Sequence, residues 1–266
     1  MASLTFAELE RLRDLRYRRI PEVQFETEEE ALEFIEEHGF VLLIDSNSLE
    51  LPSLWQATRR RGQAWPWKQT LSGAKRCAYG TLLRRKGTFV SWEYFPHFLA
   101  VYSNTNSYQE EYRAGRLSQV ERRILETLEN QGPLLTSELR RILDLPGKSG
   151  TSHFHWALDN LQACLRITVA GGLTTGFSMH RWELVDSWVS QEILKKGWRM
   201  SPDEAKEELT LKYLEAVIVS TPNEIARLFR WEPEEVEGLV ERLGGRRLVE
   251  TSVEVEGLEG RFIARL

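Results

Sequence analysis

SQVERRILETLENQGPLLTSELRRILDLPGKSGTSHFHWALDNLQACLRITVAGG, residues 118–172, is the stretch whose reading decides the fold. Ser118 followed by Glu121 is a capping box: the hydroxyl accepts from the backbone three residues on, and the carboxylate reaches back. The helix it opens continues through Leu128 and is broken by Gly132-Pro133. Thr136 opens a shorter helix, which Pro146-Gly147 stops. Residues 151–165 place Phe154, Ala157, Leu158 and Leu161 on one side, the spacing of a third amphipathic helix. ITVA and FSMHRWELV then read as two strands joined at a Gly171-Gly172 turn. Three helices and a hairpin in this order are the winged helix-turn-helix arrangement, whose third helix enters a major groove.

The pattern returns near the C-terminus. Ser201-Pro202-Asp203-Glu204 and Thr221-Pro222-Asn223-Glu224 are capping boxes with proline at the first helical position. Residues 233–243 form the third helix, and RLVETSVEVEG with GRFIARL closes a hairpin. Glu232, Glu234, Glu235, Glu237 and Glu241 line that third helix, so it would repel phosphate. The last module therefore reads as structural or as a protein-contact element.

Upstream, residues 3–19 carry Leu4, Leu9, Leu12 and Leu15 close to a helical stripe that ends before Pro21. Residues 26–38 predict a second helix with Thr27 as N-cap, Leu32, Phe34 and Ile35 inside, and Gly39 as its stop. The apolar run Phe40 to Ile44 fits a buried strand. Asp45 leaves that strand. It either caps the next helix or stands as a carboxylate at the edge of a site, and both readings are open.

Residues 51–91 contain no Asp or Glu, in a chain where acidic residues outnumber basic ones 40 to 35. They hold Arg59, Arg60, Arg61, Lys68, Lys75, Arg76, Arg84, Arg85 and Lys86, interleaved with Trp55, Trp65, Trp67 and Tyr79. Cations neutralise phosphates and aromatic faces stack on bases, so the stretch reads as a nucleic-acid surface. The plainer reading is a solvated loop whose Trp residues serve a core. Lys148, with Ser149, Thr151 and Ser152 ahead of the third helix, is a further phosphate contact, because helix N-termini attract anions. His153, His155 and Cys164 fall one short of a closed zinc set, so neither metal nor cofactor is expected.

The net charge of −5 argues against a uniformly basic nucleic-acid binder but not against a local basic face. Two cysteines, Cys77 and Cys164, imply no disulfide framework, and no apolar run is long enough to span a membrane. The expectation is a soluble, cytoplasmic, nucleoid-associated monomer. Its fold class is α+β, mostly helical, with tandem winged helix-turn-helix modules and short β-hairpin wings. The expected modules are 1–115, 116–190 and 200–266.

Four pieces resemble the AlkZ/YcaQ-type winged-helix proteins, which include bacterial DNA glycosylases that unhook crosslinks and remove alkylated bases. Leu42-Leu43-Ile44-Asp45-Ser46 is similar to that family's Gln-x-Asp or Gln-x-Gln catalytic strand. Leu54-Trp55-Gln56-Ala57-Thr58-Arg59 is similar to the segment that follows it. Arg85-Lys86-Gly87-Thr88-Phe89 resembles its Arg-Gly-Thr turn, and Ala226 to Trp231 its last winged helix. The resemblance implies a DNA-bound frame with Asp45 as the catalytic carboxylate. Two departures weigh against inherited activity. Leu43 stands where the family has Gln and offers no hydrogen bond, and Tyr94 stands in the His position of a Trp-x-His motif beginning at Trp92, with His97 out of register. Three functions follow: a glycosylase working through Asp45, a non-catalytic DNA-binding repair accessory or transcription regulator, and a protein scaffold that has lost DNA.

Overall fold

Local hydrogen bonding sets several helix starts. Thr5 with Glu8, Thr27 with Glu30, Ser107 with Glu110, Ser118 with Glu121 and Thr221 with Glu224 each form a reciprocal capping box. The structure is a computed structural model describing residues 4–60, 62–104, 106–145, 147–174 and 179–266, with 147–149 described by backbone alone. It is a mixed α/β protein in which helices predominate.

Contact divides the chain into two compact units, 1–64 with 202–266, and 65–201. These boundaries do not follow the three consecutive modules expected, because the expected module 1–115 is shared between both units. The physical cause lies in the first helix, Phe6–Arg16. Leu9 is fully buried in a cluster with Val219, Val253, Val255, Phe262 and Ala264. Arg13 turns inward and donates to the carbonyls of Val217 and Val219, each at 3.1 Å. Leu12 and Leu15, expected on the buried stripe, are exposed. Leu4–Thr5 pairs in parallel with Val255–Glu256.

In the first unit the helix Glu28–His38 stops at Gly39, whose φ of 74° places it in the left-handed region. The strand Phe40–Leu42 follows and is wholly buried. Pro202–Val217, Pro222–Phe229 and Pro233–Gly245 are helices, and Phe262–Arg265 lies between Val219–Ser220 and Val249–Val253 in an antiparallel sheet.

In the second unit Gln119–Gln131, Thr136–Leu143 and Gly147–Ala163 are the three helices, and Ile167–Gly172 pairs antiparallel with His180–Leu184. Leu134–Leu135 adds a third strand on the other side of His180–Leu184. Gly171 and Gly172 are not the hairpin turn. They end the strand across a register shift, and Leu173 N donates to Met179 O beyond them. Gly171 has φ of 96°, and a Cβ there would lie 3.0 Å from the Cα of Gly73. The glycine thus serves the close approach of helix Trp67–Gly73 to the strand.

Candidate functional site

Asp45 is exposed just past the strand Phe40–Leu42. It does not cap the next helix, Leu54–Ala57: Ser53 does, its hydroxyl accepting from Gln56 N at 3.3 Å. Ser53 also bridges Leu42, and Trp55 N donates to Leu43 O at 3.0 Å. The turn between strand and helix therefore folds back on itself. Asp45 borders a polar cavity of about 240 Å³ that is also lined by Arg19, Glu50, Gln56, Glu224 and Arg227. Among the described residues no hydrogen bond or ion pair reaches the Asp45 carboxylate.

The other charged groups of this cavity are held. Arg19 Nε donates to Gln56 Oε1 at 3.1 Å, and its terminal nitrogens lie 3.5–3.7 Å from Asp14, Glu50 and Glu10. Glu50 lies 3.6 Å from Arg13 as well. Burial, and next the nearby Glu50 charge, push the Tyr17 hydroxyl well above its usual range. Glu224 accepts from Ser220 Oγ at 2.8 Å and from Thr221 N at 2.9 Å. The arrangement leaves Asp45 as the carboxylate free to meet a ligand.

Leu43 is only 3% exposed, while Ile44 is 42% exposed. Leu43, the position that the resemblance sets against a Gln, thus turns into the core, and its apolar side chain matches that burial.

The basic stretch divides at Ala64/Trp65 between the two units. The side chains of Arg60, Arg76 and Lys86 are exposed and meet no partner among the described residues. Arg59 pairs with Glu26 at 3.3 Å and donates to Pro21 O. Lys75 donates to the Trp188 carbonyl at 2.7 Å. Arg84 is exposed and has a partner of its own, and Arg85 reaches Asn160 Oδ1 at 3.4 Å. Trp65 is 41% exposed.

Two residues expected on the surface are inside. Trp67 is 5% exposed, and Lys68 is 3% exposed with its ammonium 3.0 Å from the centre of the Trp65 ring. Burial lowers the Lys68 pKa to about 8. Burial, and secondarily the Lys68 charge, lower that of His180 to about 4. Arg61 lies outside the described residues, and so does the side chain of Lys148. Among the described residues no group of three His, Cys, Asp or Glu side chains is placed to hold a metal ion.

Two further surface features bring Trp156, Arg140 and Arg141, to which the sequence alone assigns no role, beside His153 and His155. Helix Gly147–Ala163 exposes His153, His155 and a 48% exposed Trp156. An open cavity of about 490 Å³ places His155 beside Arg140 and Arg141. Gln56, Glu50 and Arg19 also passed without a role, although Gln56 stands three residues after the helix cap, in the segment that follows the strand.

The sequence profile of the AlkZ-related family matches residues 25–230, most of the chain. The chain belongs to the AlkZ-related family. No curated protein matches it. Among solved structures, the Streptomyces sahachiroi DNA glycosylase AlkZ is similar, with a TM-score of 0.61 at 15% identity, covering 99% of this chain and 70% of that one. At that identity the likeness speaks to the fold. Family membership relates the chain to AlkZ, which is a DNA glycosylase. Among the described residues no helix is long and apolar enough to cross a membrane.

Proposed function

We propose that this AlkZ-related protein binds duplex DNA and hydrolyses the N-glycosidic bond of alkylated bases, with Asp45 as its catalytic carboxylate. The observation that carries this reading is the unpartnered, exposed Asp45 at a polar cavity whose other charged groups are engaged. As the C1′–N bond breaks, its electron pair leaves with the base and positive charge develops on the sugar. A free carboxylate stabilises that charge and accepts the proton of the water that attacks C1′.

Binding is assigned in the second unit to Arg76 and Lys86, with the exposed faces of Arg84 and Arg85 and with Trp65 as a stacking surface, and in the first unit to Arg60. The three-helix and hairpin order over 118–184 supports a winged helix, and the same order over 202–265 supports a second. In the first of these we assign Trp156, His155, Arg140 and Arg141 as groove contacts, on their exposure and shared cavity.

A non-catalytic DNA-binding role is the second reading, and the buried Leu43 is the observation that favours it. Duplex DNA treated with methylating or crosslinking agents separates the two. The glycosylase reading expects abasic sites from the wild type and few from Asp45→Asn. Equal yields would remove Asp45 from the chemistry, and no abasic sites from either would leave DNA binding alone.

A further inference from the structure

We infer that Gln56 is the residue that positions the attacking water at Asp45, taking the part that Leu43 is unable to play. The inference rests on the glycosylase reading above. Hydrolysis through a carboxylate alone leaves the water free to rotate, and a second polar group that grips it brings the reaction within the range of oriented intramolecular chemistry. Leu43 has no polar side-chain atom and points into the core.

Gln56 reaches the same cavity by another route. The Ser53 cap and the bond from Trp55 N to Leu43 O lay the helix Leu54–Ala57 against the end of the strand. Gln56 then lines the cavity with Asp45, and also an adjoining one with Arg19, Gln24 and Trp55. The orientation of its amide follows from chemistry. Arginine carries only donors, so the Gln56 atom 3.1 Å from Arg19 Nε is the carbonyl oxygen. The NH2 group is the other end, and none of the described residues accepts from it. Glu10, Asp14 and Glu50 hold Arg19, so the amide is braced before any substrate arrives. A water that accepts from this NH2 and donates to Asp45 keeps one lone pair for C1′.

Gln56→Glu provides the discriminating test, because a carboxylate still accepts from Arg19 but has no NH2 to donate. Gln56→Leu removes both functions. Wild type, both variants and Asp45→Asn are assayed for abasic sites on alkylated duplex DNA under single turnover. Thermal unfolding and affinity for undamaged duplex are measured in parallel. The expected result is a fall of roughly 10²-fold in the rate for Gln56→Glu and Gln56→Leu, with binding retained and Gln56→Glu melting like the wild type. An active wild type with a fully active Gln56→Glu overturns the inference alone. A wild type that binds DNA but forms no abasic sites overturns the glycosylase reading, and the role of Gln56 falls with it.

Discussion

Leu43 and Asp45 stand two residues apart and face opposite ways, one 3% exposed and the other exposed at a cavity. Leu43→Gln, the residue that the resemblance sets at this position, would therefore place an amide in the core. Without a partner, a buried amide and the lost apolar contact together cost about 2–4 kcal/mol. The variant is expected to unfold at lower urea concentration than the wild type and to gain no glycosylase activity. A variant of unchanged stability would contradict this account of the core. Lys68 presents the opposite case, a charge that burial disfavours. Its pKa falls from 10.5 to about 8 on folding, so the unfolded chain binds more protons between those values. Through this group stability rises as pH climbs from about 8 to 10.5, and the full penalty operates below 8. That penalty is about 3 kcal/mol at most, partly offset by about 1–2 kcal/mol from the Trp65 face. Lys68→Met keeps the stem and removes the charge. It is expected to be about 1 kcal/mol more stable at pH 7, with the advantage shrinking by pH 10, measured by urea unfolding at both pH values.

At the scale of elements, the sequence showed most clearly what is decided within a few residues. Thr27 and Glu30, Ser118 and Glu121, and Thr221 and Glu224 are legible because a cap needs only a hydroxyl and a carboxylate three apart. Lys68 and Trp67 misled because the short helix that carries them lies against strand Ile167–Gly172, about a hundred residues downstream, and local polarity does not record that packing. Gly171 was misread for the same reason: two glycines resemble a turn, whereas the second unit uses them for a backbone approach. Gly171→Ala is expected to cost at least about 2 kcal/mol, from the left-handed φ of 96° and a Cβ pressed to 3.0 Å from Gly73 Cα. Gly132→Ala has open space around its added Cβ at φ of 75°. It therefore bears the backbone strain alone and is expected to cost less, a ranking that thermal melts of the two variants would check.

For the whole chain the partition follows from bonds that join distant segments. Leu4–Thr5 pairs with Val255–Glu256, and Arg13 is anchored on the carbonyls of Val217 and Val219. Phe40 packs edge-on against Phe229, with ring centres 5.9 Å apart. None of this is written in the periodicity of residues 1–64, whose local signals suggest a module over 1–115. Without 202–266, the guanidinium of Arg13 loses both carbonyls and Leu9 loses the whole of its cluster. An apolar cluster without its other half does not overcome the entropy of ordering the chain. Residues 65–201, by contrast, contain their own helices, the sheet of Leu134–Leu135, His180–Leu184 and Ile167–Gly172, and buried side chains that fill them, including Phe154, Leu161, Trp182 and Trp188. Expressed separately, 65–201 is expected to give a cooperative thermal transition by circular dichroism, while 1–115 gives none. Adding 202–266 through a flexible linker to 1–64 is expected to restore a transition that 1–64 lacks. Cooperative melting of 1–64 alone would show that the pairing with 202–266 is dispensable, and would return the chain to the consecutive modules that its capping signals suggest.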